Sequence, residues 1–248
     1  MRTLLWAERQ KIRRSNIVWV AVFATILVAT IVFIGGRAEY QGPDSRFVGY
    51  RQIDNVGWCL SALQAWATFF VLPAVTALLG SYMICREEQD DTLKTLRLIP
   101  VSEAKLTAAK MIITFAVCEL LYLLLFVIAF VMEAILHFSE LSVGTMFEYL
   151  KEYFLDGIGV FLVISPIIAL VSRKKKGYWL ALVFTEMYSF VGLLAGMSST
   201  LRTYYPILAV FNFSGYYQGN VMVSVLILLM CSALAVTLLI GSEHSKKD

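Results

Sequence analysis

Six stretches of the chain, residues 16–34, 59–85, 111–136, 154–172, 178–197 and 221–240, are apolar over lengths that suit a helix crossing hydrocarbon. A helical span needs about 20 consecutive apolar residues. None of the six alternates polar and apolar positions as a transmembrane strand does. The pattern therefore predicts an all-α membrane protein of six transmembrane helices in a single domain. Ahead of the first run, MRTLLWAERQKIRR puts Leu4, Leu5 and Ile12 at helical spacing and Arg9, Lys11 and Arg13 on the polar side. This predicts an amphipathic interfacial helix over residues 1–15.

Composition agrees with lipid as the main solvent. The chain is 59% hydrophobic and 16% charged, with a mean hydropathy of +0.73, too little polar surface to cover a water-soluble globule of 248 residues. The net charge is +3, and the basic residues form blocks beside apolar runs instead of a stripe interleaved with aromatics. That excludes nucleic-acid binding. Cys59, Cys85, Cys118 and Cys231 show neither CxxC nor Cys/His metal spacing and are expected as free, packed thiols.

Charge also sets the orientation. With the N-terminus inside, sixteen of the 21 basic residues fall on the cytoplasmic side, leaving Arg37, Arg46, Arg51, Lys151 and Arg202 outside. Both termini are therefore expected in the cytoplasm. The external segments are then residues 35–57, about 137–153, and 198–220. The last carries Tyr204, Tyr205, Phe211, Phe213, Tyr216 and Tyr217 and is expected to lie in the outer interface, where aromatic rings are favoured. There Tyr204 and Tyr216 are candidates for contact with a transported molecule.

The most informative stretch is CREEQDDTLKTLRLIPVSEAKLTAAK, residues 85–110, between the second and third spans. Glu87, Glu88, Asp90 and Asp91 crowd the first turns of a short helix, where exposed amides and the helix dipole favour acidic groups. Leu93, Leu96 and Leu98 give it an apolar surface. Pro100 ends it, because proline has no amide proton and disfavours helical geometry at the preceding Ile99. Ser102 can cap the next helix, with Glu103 at its positive end. The reading is a compact cytoplasmic helix over residues 86–100, tied to a long membrane helix on each side, through which a soluble motor can act on the spans.

The acidic cluster, Thr92, the Leu-rich turn, Pro100-x-Ser102 and Lys110 resemble the coupling-helix region of ABC-2 type transporter permeases. The sequence differs from the family's usual pattern at Glu103, where Arg is common, and at Asp91, where Gly often precedes the Thr. In length and style the chain is most similar to the small lantibiotic-immunity and bacitracin-resistance permeases. The resemblance implies a subunit of an ABC exporter that assembles with a second permease, identical or related, and with two ATPase subunits. It also implies a bacterial cytoplasmic membrane location and a hydrophobic or amphipathic substrate, such as an antimicrobial peptide in self-immunity. Glu87, Glu88, Asp91, Thr92, Leu93, Leu96 and Pro100 would couple to the ATPase. No GxxxxGK[ST] phosphate loop occurs in the sequence, so ATP-Mg is expected on a partner chain and no cofactor on this one.

Carboxylates within the apolar runs need a reason, since one at the bilayer centre costs about 3 kcal/mol on insertion scales. Glu119 and Glu133 lie in the third run and Glu186 in the fifth. Glu119 is roughly 13 Å beyond Lys110 and Glu186 roughly 13 Å beyond Gly177, so the two are expected at one depth, facing each other or a common cavity. Glu133 is expected to reach the outer interface. All three are candidates for a substrate pathway. Gly192 and Gly196 form a GxxxG that would permit close approach at a subunit interface, and Pro73 and Pro166 would kink spans two and four. Two other functions fit the residues: an intramembrane hydrolase using Glu119 and Glu186 as paired carboxylates, and a non-catalytic scaffold or sensor. The only histidines, His137 and His244, lie at the edges of the apolar runs, where neither serves a His-based site inside the membrane.

Overall fold

The computed structural model describes residues 2–13, 15–39, 49–89, 103–171 and 177–244, and almost all of these are helical. The helices are α1 (Arg2–Arg13), α2 (Ile17–Arg37), α3 (Trp58–Trp66), α4 (Leu72–Gln89), α5 (Glu103–His137), α6 (Val143–Val171), α7 (Tyr178–Ala195), α8 (Ser199–Tyr204), α9 (Pro206–Ser214) and α10 (Val221–His244). Six segments are long and apolar enough to cross a membrane: Ile17–Arg37, Trp58–Arg86, Ala104–His137, Val143–Val171, Tyr178–Ala195 and Val221–Leu239.

The second span is composite, and Pro73 explains why. Proline cannot donate to the carbonyl four residues back, that of Phe69, and its ring crowds that oxygen. The chain answers with a π-helical turn over Ala67–Val71 between α3 and α4. The wider turn absorbs the misfit. At Pro166, inside α6, the helix instead continues unbroken, because the hydroxyl of Ser165 donates to the freed carbonyl of Leu162 at 2.8 Å.

α6 is the central helix and packs against α4, α5, α7, α9 and α10. Its buried residues include Val160, Val163, Ile164 and Ile168, which join Leu60, Leu63, Leu72 and Leu125 in the main core. α7 turns a file of small residues inward, Ala181, Thr185, Ser189, Gly192 and Ala195, and these permit its close packing on α4. Outward, Trp19, Phe23, Leu27 and Ile31 on α2 and Phe184, Met187 and Val191 on α7 stay exposed. Such surface is stable only against lipid.

α1 docks where α4 ends and α5 begins. Glu8 is buried and accepts a 2.6 Å hydrogen bond from Lys11, beside Tyr82, Met83 and Arg86 of α4. This end of the bundle carries Arg86, Lys105 and Lys110 and is called the basic end below.

Several boundaries move. α6 begins at Val143, eleven residues before the expected start at 154, so most of the supposed external segment 137–153 is the first turns of a span. That stretch reads as polar, yet Tyr149 and Tyr153 turn inward and make it part of the bundle. Residues 198–220, expected in the outer interface, reach into the bundle in part. Two short helices form there, and Ile207, Leu208, Ala209, Val210 and Phe211 of α9 are wholly buried against α6, α7 and α10. Gly192 of the GxxxG is occupied within the chain, because a methyl group there would meet Ile207 and Tyr205.

Candidate functional site

The most unusual chemistry lies where α3, the π turn, α5, α6 and α9 meet. α6 carries Glu148, Glu152 and Asp156 at four-residue spacing, which puts them on one face about 6 Å apart along the axis. Burial deepens along the row, from exposed Glu148 through half-buried Glu152 to fully buried Asp156.

Asp156 Oδ2 accepts a 2.7 Å hydrogen bond from Nε2 of Gln64 on α3. The hydroxyls of Thr68, in the π turn, and Ser214, at the end of α9, also bear on its carboxyl. Tyr122 of α5 donates to Thr68 Oγ1 at 3.1 Å, and Tyr153 of α6 donates to the Leu60 carbonyl at 2.6 Å. Gln64, Thr68, Tyr122, Tyr153 and Asp156 are all buried. The π turn thus places Thr68 between Tyr122 and Asp156, so the irregularity imposed by Pro73 also shapes the polar cluster.

Glu119 approaches the cluster from α5. Its carboxylate lies against Gly157 of α6, so close that a methyl group there would come within 2.7 Å of Oε1. Neither carboxylate oxygen has a hydrogen-bond donor, and both are buried. Glu119 therefore neighbours the residue after Asp156, and Tyr122 lies within the field of both carboxyls. Glu186 is half-buried on α7, a helix packed on α4, α6 and α9. Glu119 and Asp156 have Tyr122 as a common neighbour.

Glu133 has a different occupation from the expected reach to the interface. It is fully buried and accepts hydrogen bonds from the amides of Gly57, at 2.6 Å, and Cys59, at 3.1 Å, while His137 Nδ1 lies 3.0 Å from Oε1. These amides are among the unpaired donors at the start of α3, and Gly57 has φ +79°, a conformation natural only to glycine. Glu133 serves as that helix's cap.

Of the aromatic candidates, Tyr204 is 61% exposed, whereas Tyr216 is half-buried against Phe211 and Tyr217. Burial pushes the hydroxyls of Tyr205 and Tyr216 up to about 12, so both are neutral. Arg202 stacks 4.1 Å above the Tyr217 ring at the rim of a polar hollow of about 550 Å³. A second, apolar cavity of about 370 Å³ opens at the basic end between α5, α6 and α10. All four cysteines are free.

Glu87 and Glu88 fall in the last turn of α4. Asp91, Thr92, Leu93, Leu96 and Pro100 lie outside the described residues, between Gln89, where α4 ends, and Glu103, where α5 begins.

Comparison with known proteins decides the family. A model of the ABC-2 family transporter proteins matches residues 4–192, from α1 into the last turns of α7. The chain belongs to the ABC-2 transporter family. Along 114 residues this ABC-2 family chain is 31% identical to the bacitracin transport permease protein BCRB of Bacillus licheniformis. The aligned stretch takes in 46% of the chain and 54% of that protein, so the chain spans about half of its relative's length. In this ABC-2 family member the buried Asp156 cluster is contributed by both the matched region and α9, which lies beyond it.

Asp156, Gln64, Thr68 and Tyr122 carry no motif along the chain that marks them as a cluster. The signal that was present is the four-residue spacing of Glu148, Glu152 and Asp156, which only a helix starting before residue 154 makes visible.

Proposed function

We propose that this chain is the permease subunit of an ABC exporter in a bacterial cytoplasmic membrane, with both termini in the cytoplasm. ATP-Mg is hydrolysed on separate ATPase subunits seated at the basic end. Residues 86–100 act as the coupling element there, with Glu87, Glu88, Asp91, Thr92, Leu93, Leu96 and Pro100 supplying its acidic and apolar contacts and its stop. A second permease, identical or related, completes the membrane part, and α1 lies in the cytoplasmic interface. The chain itself transports and does not hydrolyse.

The observation that carries this reading is the family match over residues 4–192 on a six-span fold in which α4 and α5 both run to the basic end on either side of residues 90–102. A segment tied to two long, packed spans can move them when it is pushed. The balance of Lys and Arg supports a cytoplasmic basic end.

The substrate is hydrophobic or amphipathic, and an antimicrobial peptide is the specific proposal. Its ground is the likeness to a permease named for bacitracin transport. Glu119, Glu186, Tyr204 and Tyr216 are the candidate pathway residues, Glu133 being taken up as a helix cap; among them Glu119 has the strongest claim, because its buried carboxylate oxygens have no donor.

The test is affinity purification of the tagged full-length chain from its own cells, followed by ATP hydrolysis and peptide efflux in proteoliposomes. Co-purifying ATPase whose hydrolysis and efflux both disappear in the E87K/E88K double variant, with the permease still folded, is the expected result. Efflux that survives the double charge reversal would overturn the coupling role.

A further inference from the structure

Two acceptors in the buried cluster have no donor. Asp156 Oδ1 and Gln64 Oε1 are both buried and both without a hydrogen-bond partner, although the other atoms of the same two groups, Asp156 Oδ2 and Gln64 Nε2, are bonded to each other. Gln64 Nε2 has two N–H donors, one on Asp156 Oδ2 and the other toward Glu152, which leaves the two remaining oxygens without one. Leaving a buried polar atom unpaired costs about 1–3 kcal/mol, more for a charged group. A single proton on Oδ1 changes the count. The carboxylic acid then donates O–H to Gln64 Oε1 while accepting from Gln64 Nε2, and both vacancies are filled by one neutral, two-bond pair.

No positive charge does this work instead. Asp156 is ion-paired with no Lys, Arg or His among the described residues. The groups that bear on it from α6 are Glu152 and Tyr153, with Lys151 beside Glu152. From α5 comes Tyr122, itself beside Cys118 and Glu119. From α3, the π turn and α9 come Gln64, Thr68 and Ser214, and Tyr216 follows α9. Among the described residues, α4, α7 and α10, also packed on α6, give it neither a hydrogen bond nor an ion pair. A metal ion is a poor fit, because no group of three His, Cys, Asp or Glu side chains suited to one occurs among the described residues.

A route to this position exists on the same helix face. Glu148 is exposed near the start of α6, and Glu152, one turn deeper, is half-buried and interacts with the Gln64 side chain. Each step is about 6 Å. Chains of carboxyl groups inside a membrane protein relay protons.

We propose that Asp156 is a proton-binding site, holding a proton between its Oδ1 and Gln64 Oε1 and exchanging it with the aqueous phase at the end opposite the basic one, through Glu152 and Glu148. The proton moves without any change in covalent bonds elsewhere. It leaves water at Glu148, passes to Glu152 and comes to rest on Asp156, making the acidity of that compartment a ligand of the permease. Thr68 ties the site to the π turn and Ser214 ties it to α9, so loss of the proton would put an uncompensated charge where two irregular elements join.

The test uses the full-length permease in lipid nanodiscs. Infrared spectra should show a protonated carboxyl stretch that shifts in deuterated water and disappears in Asp156→Asn. The Asn variant should melt close to the wild type, because its amide supplies N–H where the acid supplied O–H, while Asp156→Ala should melt well below it. In Glu152→Gln the deuterium shift of the Asp156 band should slow by about tenfold or more, since the relay has lost its middle acid. Three results would overturn the proposal. They are a carboxyl band unchanged in Asp156→Asn, an Asn variant as unstable as the Ala variant, and exchange in Glu152→Gln as fast as in the wild type.

Discussion

Glu133, near the end of the third span, accepts hydrogen bonds from the backbone amides of Gly57 and Cys59, 76 and 74 residues away, and so fixes the start of the second span to the end of the third. A charged group in the apolar part of a sequence invites a role in transport. Here its geometry is that of a helix cap reinforced by His137.

Hydrogen bonds to a charged group contribute about 1.5–3 kcal/mol each. Glu133→Gln retains shape and one acceptor and is expected to lower stability by about 1 kcal/mol, and Glu133→Ala, which loses both bonds, by about 3 kcal/mol or more. Thermal melting in detergent checks the order. An Ala variant as stable as the wild type would remove the capping role.

The contact between Glu119 and Gly157 makes a second expectation. A methyl group at 157 meets only the far end of a flexible side chain, so Gly157→Ala is expected to be mild. Gly157→Leu overfills the seam between α5 and α6 and should cost about 1–3 kcal/mol. Adding Glu119→Ala should restore part of that loss, which a double-mutant cycle on melting temperature measures.

Gly192 tests where the GxxxG acts. Ile207 and Tyr205 occupy the space beside it, so Gly192→Leu should lower the melting temperature and loosen α7 from α9. Cross-linking between chains is expected to be unchanged. An altered oligomeric state with unaltered melting would place the motif at a subunit interface instead.

The six spans were legible because lipid imposes a length and an apolarity that the sequence cannot disguise. Free cysteines and the all-helical class were legible for similar reasons. What escaped was decided by burial of polar groups against protein. Tyr149, Tyr153 and Asp156 look like loop or boundary residues along the chain, yet Gln64, Thr68 and the Leu60 carbonyl meet them across the bundle. Glu119 was found from its cost alone, but depth could not select its neighbour; α6 offers it Gly157, the position where no side chain stands in the way. The aromatic stretch 198–220 reads as interfacial in composition, yet α9 is apolar all round from Ile207 to Phe211 and is buried on every side.

The proposed exporter depends most on residues 86–100 as the seat of a nucleotide-driven partner. A photo-cross-linking amino acid placed at Leu96 in the full-length chain, activated in intact cells, tests this directly. The expected result is a covalent adduct with a separate subunit that carries a phosphate-binding loop, and no labelling of that position by a membrane-impermeant reagent added outside. Labelling from outside, with no ATPase adduct, would contradict it.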